Sequence, residues 1–231
     1  MKSKFKKILL IFVNTLTLSR LVGAFVLPFI YLKYGASVSA LITIILFSTD
    51  AIDGFLARTF KISTMFGSAM DALCDKVLSL TAFIILGLEY NIMFIPLGLE
   101  IIIILINYLI YRAGGNVQSS LTGKIKTVII DISTIISFIL ISLPALKINI
   151  DYDISTLILI FGILSIIAEI FAIINYSLKY KRTLKDPTLT KIKYQNRKRK
   201  TLKEALTDSF SHEYYLEHRN ESILKQLYKW K

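Results

Sequence analysis

Six apolar stretches, each about as long as a bilayer is thick, constrain this chain more than any other feature. They cover residues 8–34, 38–58, 67–88, 93–111, 127–146 and 155–178. A helix rises about 1.5 Å per residue, so roughly 20 apolar residues cross a hydrocarbon core of about 30 Å. Lipid offers the backbone no hydrogen-bond partner, so such segments close their own bonds as helices. Connectors are short, at 35–37, 89–92, 114–122 and 147–153. The expected fold is an all-α integral membrane protein with six transmembrane helices. No internal repeat is visible, so an inverted-repeat transporter has no support. The Lys-rich start followed by an apolar run has the look of a signal peptide. Asn14, Thr15, Thr17, Ser19 and Arg20 interrupt that run, so its removal is not expected. The first span is expected to begin along the interface before turning into the bilayer.

Charge divides the chain in two. Of the net charge of +12, +9 falls from Lys179 onward. This predicts a transmembrane domain over 1–178 and a polar, basic appendage over 179–231. Lys2, Lys4, Lys6, Lys7, Lys61, Arg112, Lys124 and the appendage fall on one side of the expected topology, and only Lys33 and Lys147 on the other. The positive-inside rule then places both termini in the cytosol, in a multi-pass protein of the cell membrane. A basic chain can also be a nucleic-acid binder, but the body is too apolar for a soluble reader, so no nucleic-acid partner is expected. The single cysteine, Cys74, has no partner for an internal disulfide and reads as a small packing residue.

Four acids stand inside the second and third spans: Asp50, Asp53, Asp71 and Asp75. An Asp at the centre of a membrane helix costs about 2.5–3.5 kcal/mol on insertion scales, and less toward the helix end. Asp50 and Asp53 are i,i+3 and Asp71 and Asp75 are i,i+4, so each pair projects from one helix face. Two helices joined by a short loop are antiparallel neighbours, so the pairs can face one another. Four carboxylates repel unless something positive sits among them, and the local sequence supplies too few cations. Hard divalent ions such as Mg²⁺ or Mn²⁺ suit an all-oxygen site. Gly54, Ala57, Gly67 and Ala72 clear bulk around the acids, and Arg58 offers bidentate reach toward phosphate. Any one of these residues alone suits helix packing or an acid pair. Together they describe a site for a pyrophosphate-bearing ligand.

The string Asp50-x-x-Asp53-Gly54-x-x-Ala57-Arg58-x8-Gly67-x3-Asp71-x3-Asp75 resembles the signature of the CDP-alcohol phosphatidyltransferase family at all eight positions. Asn14-x-Leu16-Thr17-x-x-Arg20, Pro28, Lys76-Val77-Leu78 and Gly123-Lys124-Ile125-Lys126-Thr127 are similar to its bacterial phosphatidylglycerophosphate synthases. The likeness covers about residues 12–178. It implies a CDP-diacylglycerol or similar CDP-linked lipid donor, an alcohol acceptor, CMP as leaving group, a homodimer, and an active site facing the cytosol. It implies that Asp50, Asp53, Asp71 and Asp75 hold one or two divalent ions, with Asp75 also the base. Gly54, Ala57, Arg58 and Gly67 would line the donor. Lys124, Lys126 and Arg112 would meet donor or acceptor phosphate, although ordinary positive-inside topology also accounts for them. Glycerol 3-phosphate is the first expected acceptor. Leu99 and Asn107 stand where those synthases carry arginine, which leaves inositol phosphate, serine or another alcohol open. A cation-coupled transporter using the same acids is the reading from another class. Glu100 fits the synthase pattern, while Asp131 and Glu169 read as interhelix partners. None of the three is expected to be catalytic. The segments 202–210 and 214–230 carry apolar residues at near-helical spacing between basic ones. An interfacial helix on anionic lipid is the first expectation, so truncation after Lys185 should spare turnover. A flexible tail and a partner-binding helix are the alternatives. His212 and His218 have no ligand cluster around them, so no metal is expected there.

Overall fold

The computed structural model describes residues 2–116, 121–148, 153–186, 200–219 and 221. Trp230 and most of the expected 214–230 segment lie outside the described residues. Every regular element among the described residues is helical. In chain order they are α1 (Lys2–Thr59), α2 (Met65–Glu89), a single 3-10 turn (Asn91–Met93), α3 (Phe94–Arg112), α4 (Leu121–Ser142), α5 (Ile154–Lys185), α6 (Leu202–Ser209) and α7 (His212–His218).

The length of α1 hides a break. Gly35 adopts φ 77° and ψ −169°, a left-handed backbone that glycine reaches without a Cβ penalty. The expected connector at 35–37 is therefore one residue, and α1 consists of two arms. Among the described residues, four helical stretches are long and apolar enough to cross a membrane: 8–59, 91–112, 121–142 and 154–185. Helix α2, with 25 residues, is also long enough, but Asp71, Asp75 and Lys76 interrupt its apolar run.

Boundaries differ from expectation at two helices. Helix α4 starts at Leu121 and stops at Ser142, whereas the apolar run suggested 127–146. Pro144 explains the stop, because it has no N–H and disfavours helix at the residue before it. Helix α5 runs on to Lys185, past the expected end at 178. Arg182 and Lys185 in its last turn suit the negative end of the helix dipole, and Asp186-Pro187 follows. Its start is capped by Asp153, which accepts from the backbone of Ser155 and Thr156 at 3.3 and 3.0 Å. The bonds from Thr156 hold the Asp153 carboxyl below the usual carboxylate range.

Large apolar side chains point outward: Ile8, Phe29 and Leu32 are 67–77% exposed. Beside its apolar core the interior holds many small and polar residues, such as Ala24, Ser39, Thr43, Ser133, Ser137 and Ser165. An apolar outer surface over an interior rich in small and polar contacts is the form of helix packing in lipid, where close approach replaces the hydrophobic drive. Both arms of α1, with α2, α4 and α5, share one core around Leu27, Leu78, Leu86 and Phe138. A second, smaller core joins α3 to α5 through Ile103, Ile110, Ala172 and Tyr176.

Candidate active site

The second arm of α1 and the first half of α2 run antiparallel across the loop Phe60–Thr64. Asp50 and Asp53 lie on the former, Asp71 and Asp75 on the latter. Carboxylate oxygens of Asp50, Asp53 and Asp71 lie within 4.8 Å of one another, and Asp75 stands outside that triangle. Asp53 is buried, while the side chains of Asp50, Asp71 and Asp75 are 31–42% exposed.

A cation does sit among them, which corrects the expectation that the acids lack one. Arg20 on the first arm of α1 is fully buried and reaches all four. Its Nη1 donates to Asp50 and, at 2.9 Å, to Asp75; its Nη2 donates to Asp53 at 3.0 Å and to Asp71 at 2.5 Å. Arg20 belongs to the Asn14-x-Leu16-Thr17-x-x-Arg20 string, and Thr17 and Asn14 also lie against the acid-bearing helices. Thr17 Oγ1 donates to Asp53 at 2.9 Å. Asn14 Oδ1 lies 3.5 Å from where a Cβ on Gly67 would stand, an ordinary contact between the first arm of α1 and the start of α2, while Thr64 Oγ1 stands closer, at 3.2 Å. Cys74 is buried, with Sγ 3.2 Å from the Thr17 carbonyl.

The small residues are placed as follows. A Cβ on Gly54 would stand 3.1 Å from Arg58 Nη1, so the guanidinium folds back over Gly54. Ala57 is half-buried, and its carbonyl accepts from the backbone of Ile62 and from Ser63 Oγ, which tightens the loop. Thr64 caps α2 by accepting from Gly67 N at 3.1 Å.

The three expected phosphate ligands part company. Arg112 and Lys124 are exposed. Lys126 is buried and donates to Glu100 at 2.5 Å. Lys76 donates to the other oxygen of Glu100, so one buried carboxylate ties α2, α3 and α4. Glu169 on α5 is fully buried within electrostatic reach of Glu100 and Lys126. Sequence reading missed this group as a unit. The sequence signal is only that these charges stand in apolar helices and need partners; which of them meet is set by packing.

The donor set fits a hard divalent cation. It is all oxygen and anionic, comes from two helices held in register, and is reachable through the three part-exposed carboxylates. Such a cation would share those oxygens with Arg20.

Comparison with known proteins gives the family. The family model for CDP-alcohol phosphatidyltransferase matches residues 10–177. The chain belongs to that family. The match takes in Asp50, Asp53, Asp71 and Asp75 and ends before α6. Curated relatives named CDP-diacylglycerol--glycerol-3-phosphate 3-phosphatidyltransferase include one from Aquifex aeolicus, 29% identical over 169 residues, which cover 71% of this chain and 90% of that protein. Another, from Yersinia enterocolitica, is 35% identical over 112 residues, 45% of this chain and 60% of that protein. A third, from Salmonella choleraesuis, is 37% identical over 115 residues, 46% of this chain and 62% of that protein. The chain thus spans about 60% of the Yersinia and Salmonella relatives and nine-tenths of the Aquifex one.

Arg20 carries a stability prediction. Arg20→Met leaves four neighbouring carboxylates without their guanidinium. Removing one partner of a buried ion pair costs about 3–5 kcal/mol. The low end is expected here, because three of the acids are part-exposed and screened. Cys74 supplies the readout, since a thiol-reactive dye reaches this buried side chain only on unfolding. The variant should melt well below wild type, and Mg²⁺ or Mn²⁺ should raise its melting temperature more than that of wild type. Equal melting temperatures would contradict Arg20's role as counter-cation.

Proposed function

We propose that this chain transfers a phosphatidyl group from CDP-diacylglycerol, or a similar CDP-linked lipid, to an alcohol, releasing CMP, with glycerol 3-phosphate as first-choice acceptor. The observation that carries the proposal is the convergence of Asp50, Asp53, Asp71 and Asp75 in a member of this family. The names of the relatives favour glycerol 3-phosphate.

Asp50, Asp53 and Asp71 would hold the divalent ion or ions, with Asp75 at the edge. A bound divalent ion supplies charge stabilisation at the β-phosphorus and at the departing CMP phosphate. The acceptor hydroxyl oxygen forms its bond to that phosphorus. The bond from phosphorus to the oxygen bridging toward CMP breaks, and CMP leaves with that oxygen. The hydroxyl proton passes to a carboxylate oxygen of Asp75, whose place outside the triangle of ligands supports a separate role. Gly54 and Ala57 leave room beside the acids for the cytidine, with Gly67 opposite. Arg58 swings from its resting place over Gly54 to meet donor phosphate. Lys124 and Arg112, both exposed, offer charge to phosphate, while Lys126 acts through its pairing with Glu100.

Six crossings follow when the two arms of α1 and the charged α2 are counted with α3, α4 and α5. Both termini and the acid site then face the cytosol in the cell membrane, as the Lys and Arg distribution favours. A homodimer is inferred from the family resemblance.

Leu99 and Asn107 keep a second acceptor in view, because neither brings a cation to α3. The test is incorporation of labelled acceptor into chloroform-soluble lipid by the purified chain supplied with CDP-diacylglycerol. Glycerol 3-phosphate should be incorporated well above serine and inositol phosphate. Preferential incorporation of either rival would reassign the acceptor.

A further inference from the structure

Helices α6 and α7 lie beyond the family match, yet they touch the acid-bearing part of the molecule. The expectation of a tail lying on lipid does not account for this. His212 Nδ1 is 2.7 Å from the carbonyl oxygen of Ser63, in the loop between α1 and α2. The Phe210 ring packs on Phe66 at 4.7 Å between centroids. At the far end of α7, the Arg219 carbonyl accepts from Asn116 Nδ2 at 3.2 Å, in the connector after α3. The hairpin therefore bridges two connectors of the bundle.

It is also built to hold its shape. Lys200 donates to Asp208 at 2.5 Å and to the Tyr214 hydroxyl at 3.0 Å, tying the start of α6 to α7. Partial burial disfavours the Lys200 charge, but those two partners hold its pKa above the ordinary lysine value. Thr201 and Glu204 form a capping box on α6, and Ser211 caps α7. The Tyr214 and His218 rings stack at 4.0 Å. This scaffold presents Phe210 from the turn between the two helices and His212 from the start of α7.

The loop they meet needs holding. It joins the two halves of the acid motif, and Lys61 adopts φ 53°, a left-handed backbone uncommon outside glycine. Its inner side is fixed by buried Ile62 and Thr64. Its outer side offers the Ser63 carbonyl, the first turn of α2 just after it offers Phe66, and the hairpin takes both.

We propose that the α6–α7 hairpin is a brace on the α1–α2 loop, with His212 and Phe210 as positioning residues that hold Asp50 and Asp53 in register with Asp71 and Asp75. The proposal rests on the acid cluster being the catalytic site. A displacement of about 1 Å in catalytic groups can cost up to about 10²-fold in rate. Loss of one brace contact should therefore lower kcat by about tenfold.

The test uses the full chain in phosphatidylcholine nanodiscs, and again in nanodiscs with anionic lipid. Variants are His212→Ala, Phe210→Ala, His212→Asn and a truncation after Lys185. Hydrogen exchange of the amides in 59–67 and the kcat of CMP release are read together. His212→Ala, Phe210→Ala and the truncation should speed exchange in 59–67 and lower kcat about tenfold in both lipids, with KM for acceptor little changed. His212→Asn, which keeps a donor near the Nδ1 position, should restore both. Unchanged exchange in 59–67 would overturn the brace. So would an effect confined to anionic nanodiscs, which marks a lipid anchor, or an Asn variant no better than Ala. If the truncated chain does not fold, the point variants decide. Asp53→Asn serves as control: full turnover in that variant would sink the reading of the catalytic site, whereas the exchange result would still judge the brace.

Discussion

Asp75→Asn is expected to keep metal and CDP-lipid binding close to wild type while lowering the transfer rate by about 10²–10⁴-fold, the usual cost of losing a general base. Asparagine keeps the size and one acceptor oxygen of aspartate but cannot take the acceptor proton. Asp53→Asn should behave differently. Asp53 is the buried member of the close triangle, already bonded to Thr17 and Arg20, so its loss removes a charged ligand from a hard cation. Metal affinity should fall in that variant, and rate with it. Metal titration of CDP-lipid binding beside CMP release, on both variants, separates the two roles. If Asp75→Asn loses metal affinity as badly as Asp53→Asn, the base is not separate and the four acids form one metal cage.

Chelation is expected to take CMP release to background without unfolding the protein. Four carboxylates meet one guanidinium in the site. That single positive charge holds α1 and α2 together, but a pyrophosphate donor brings further negative charge that Arg20 cannot also offset. Divalent ions must supply the difference during turnover. EDTA should therefore abolish activity, and Mg²⁺ or Mn²⁺ should restore it. Dye labelling of Cys74 should show a folded chain throughout. Full CMP release in metal-free buffer would contradict this, and so would unfolding on chelation, which would give the metal a structural role instead.

The membrane-length segments were legible because lipid leaves the backbone one common solution. Their ends were less so. The connector reads as 114–122 and the span as starting at 127, yet α4 already begins at Leu121, and Lys126 in its second turn meets its counter-charge on Glu100 inside the bundle. The basic end of α5 reads as tail, yet a helix leaving a membrane can continue with its charges in water.

The acids were legible because a charge in a membrane helix is costly and must have a purpose. Arg20 was not legible as their partner. It lies 30 to 55 residues from them along the chain, and only packing of the first arm of α1 against α2 brings it in. The contact of His212 with Ser63, 149 residues apart, is further still from anything periodicity or spacing can express. Lys126 was recognised as a residue of interest, but its burial against Glu100 needed the third dimension.

One measurement bears most directly on the central claim. The purified chain in nanodiscs is given labelled CDP-diacylglycerol and Mg²⁺, with and without glycerol 3-phosphate, and CMP and new phospholipid are counted together. The expected result is CMP release that depends on acceptor, matches phospholipid formed mole for mole, and disappears in Asp53→Asn and Asp75→Asn. CMP release without new phospholipid, or undiminished phospholipid synthesis in either variant, would contradict the assignment of the acid cluster as the site of phosphatidyl transfer.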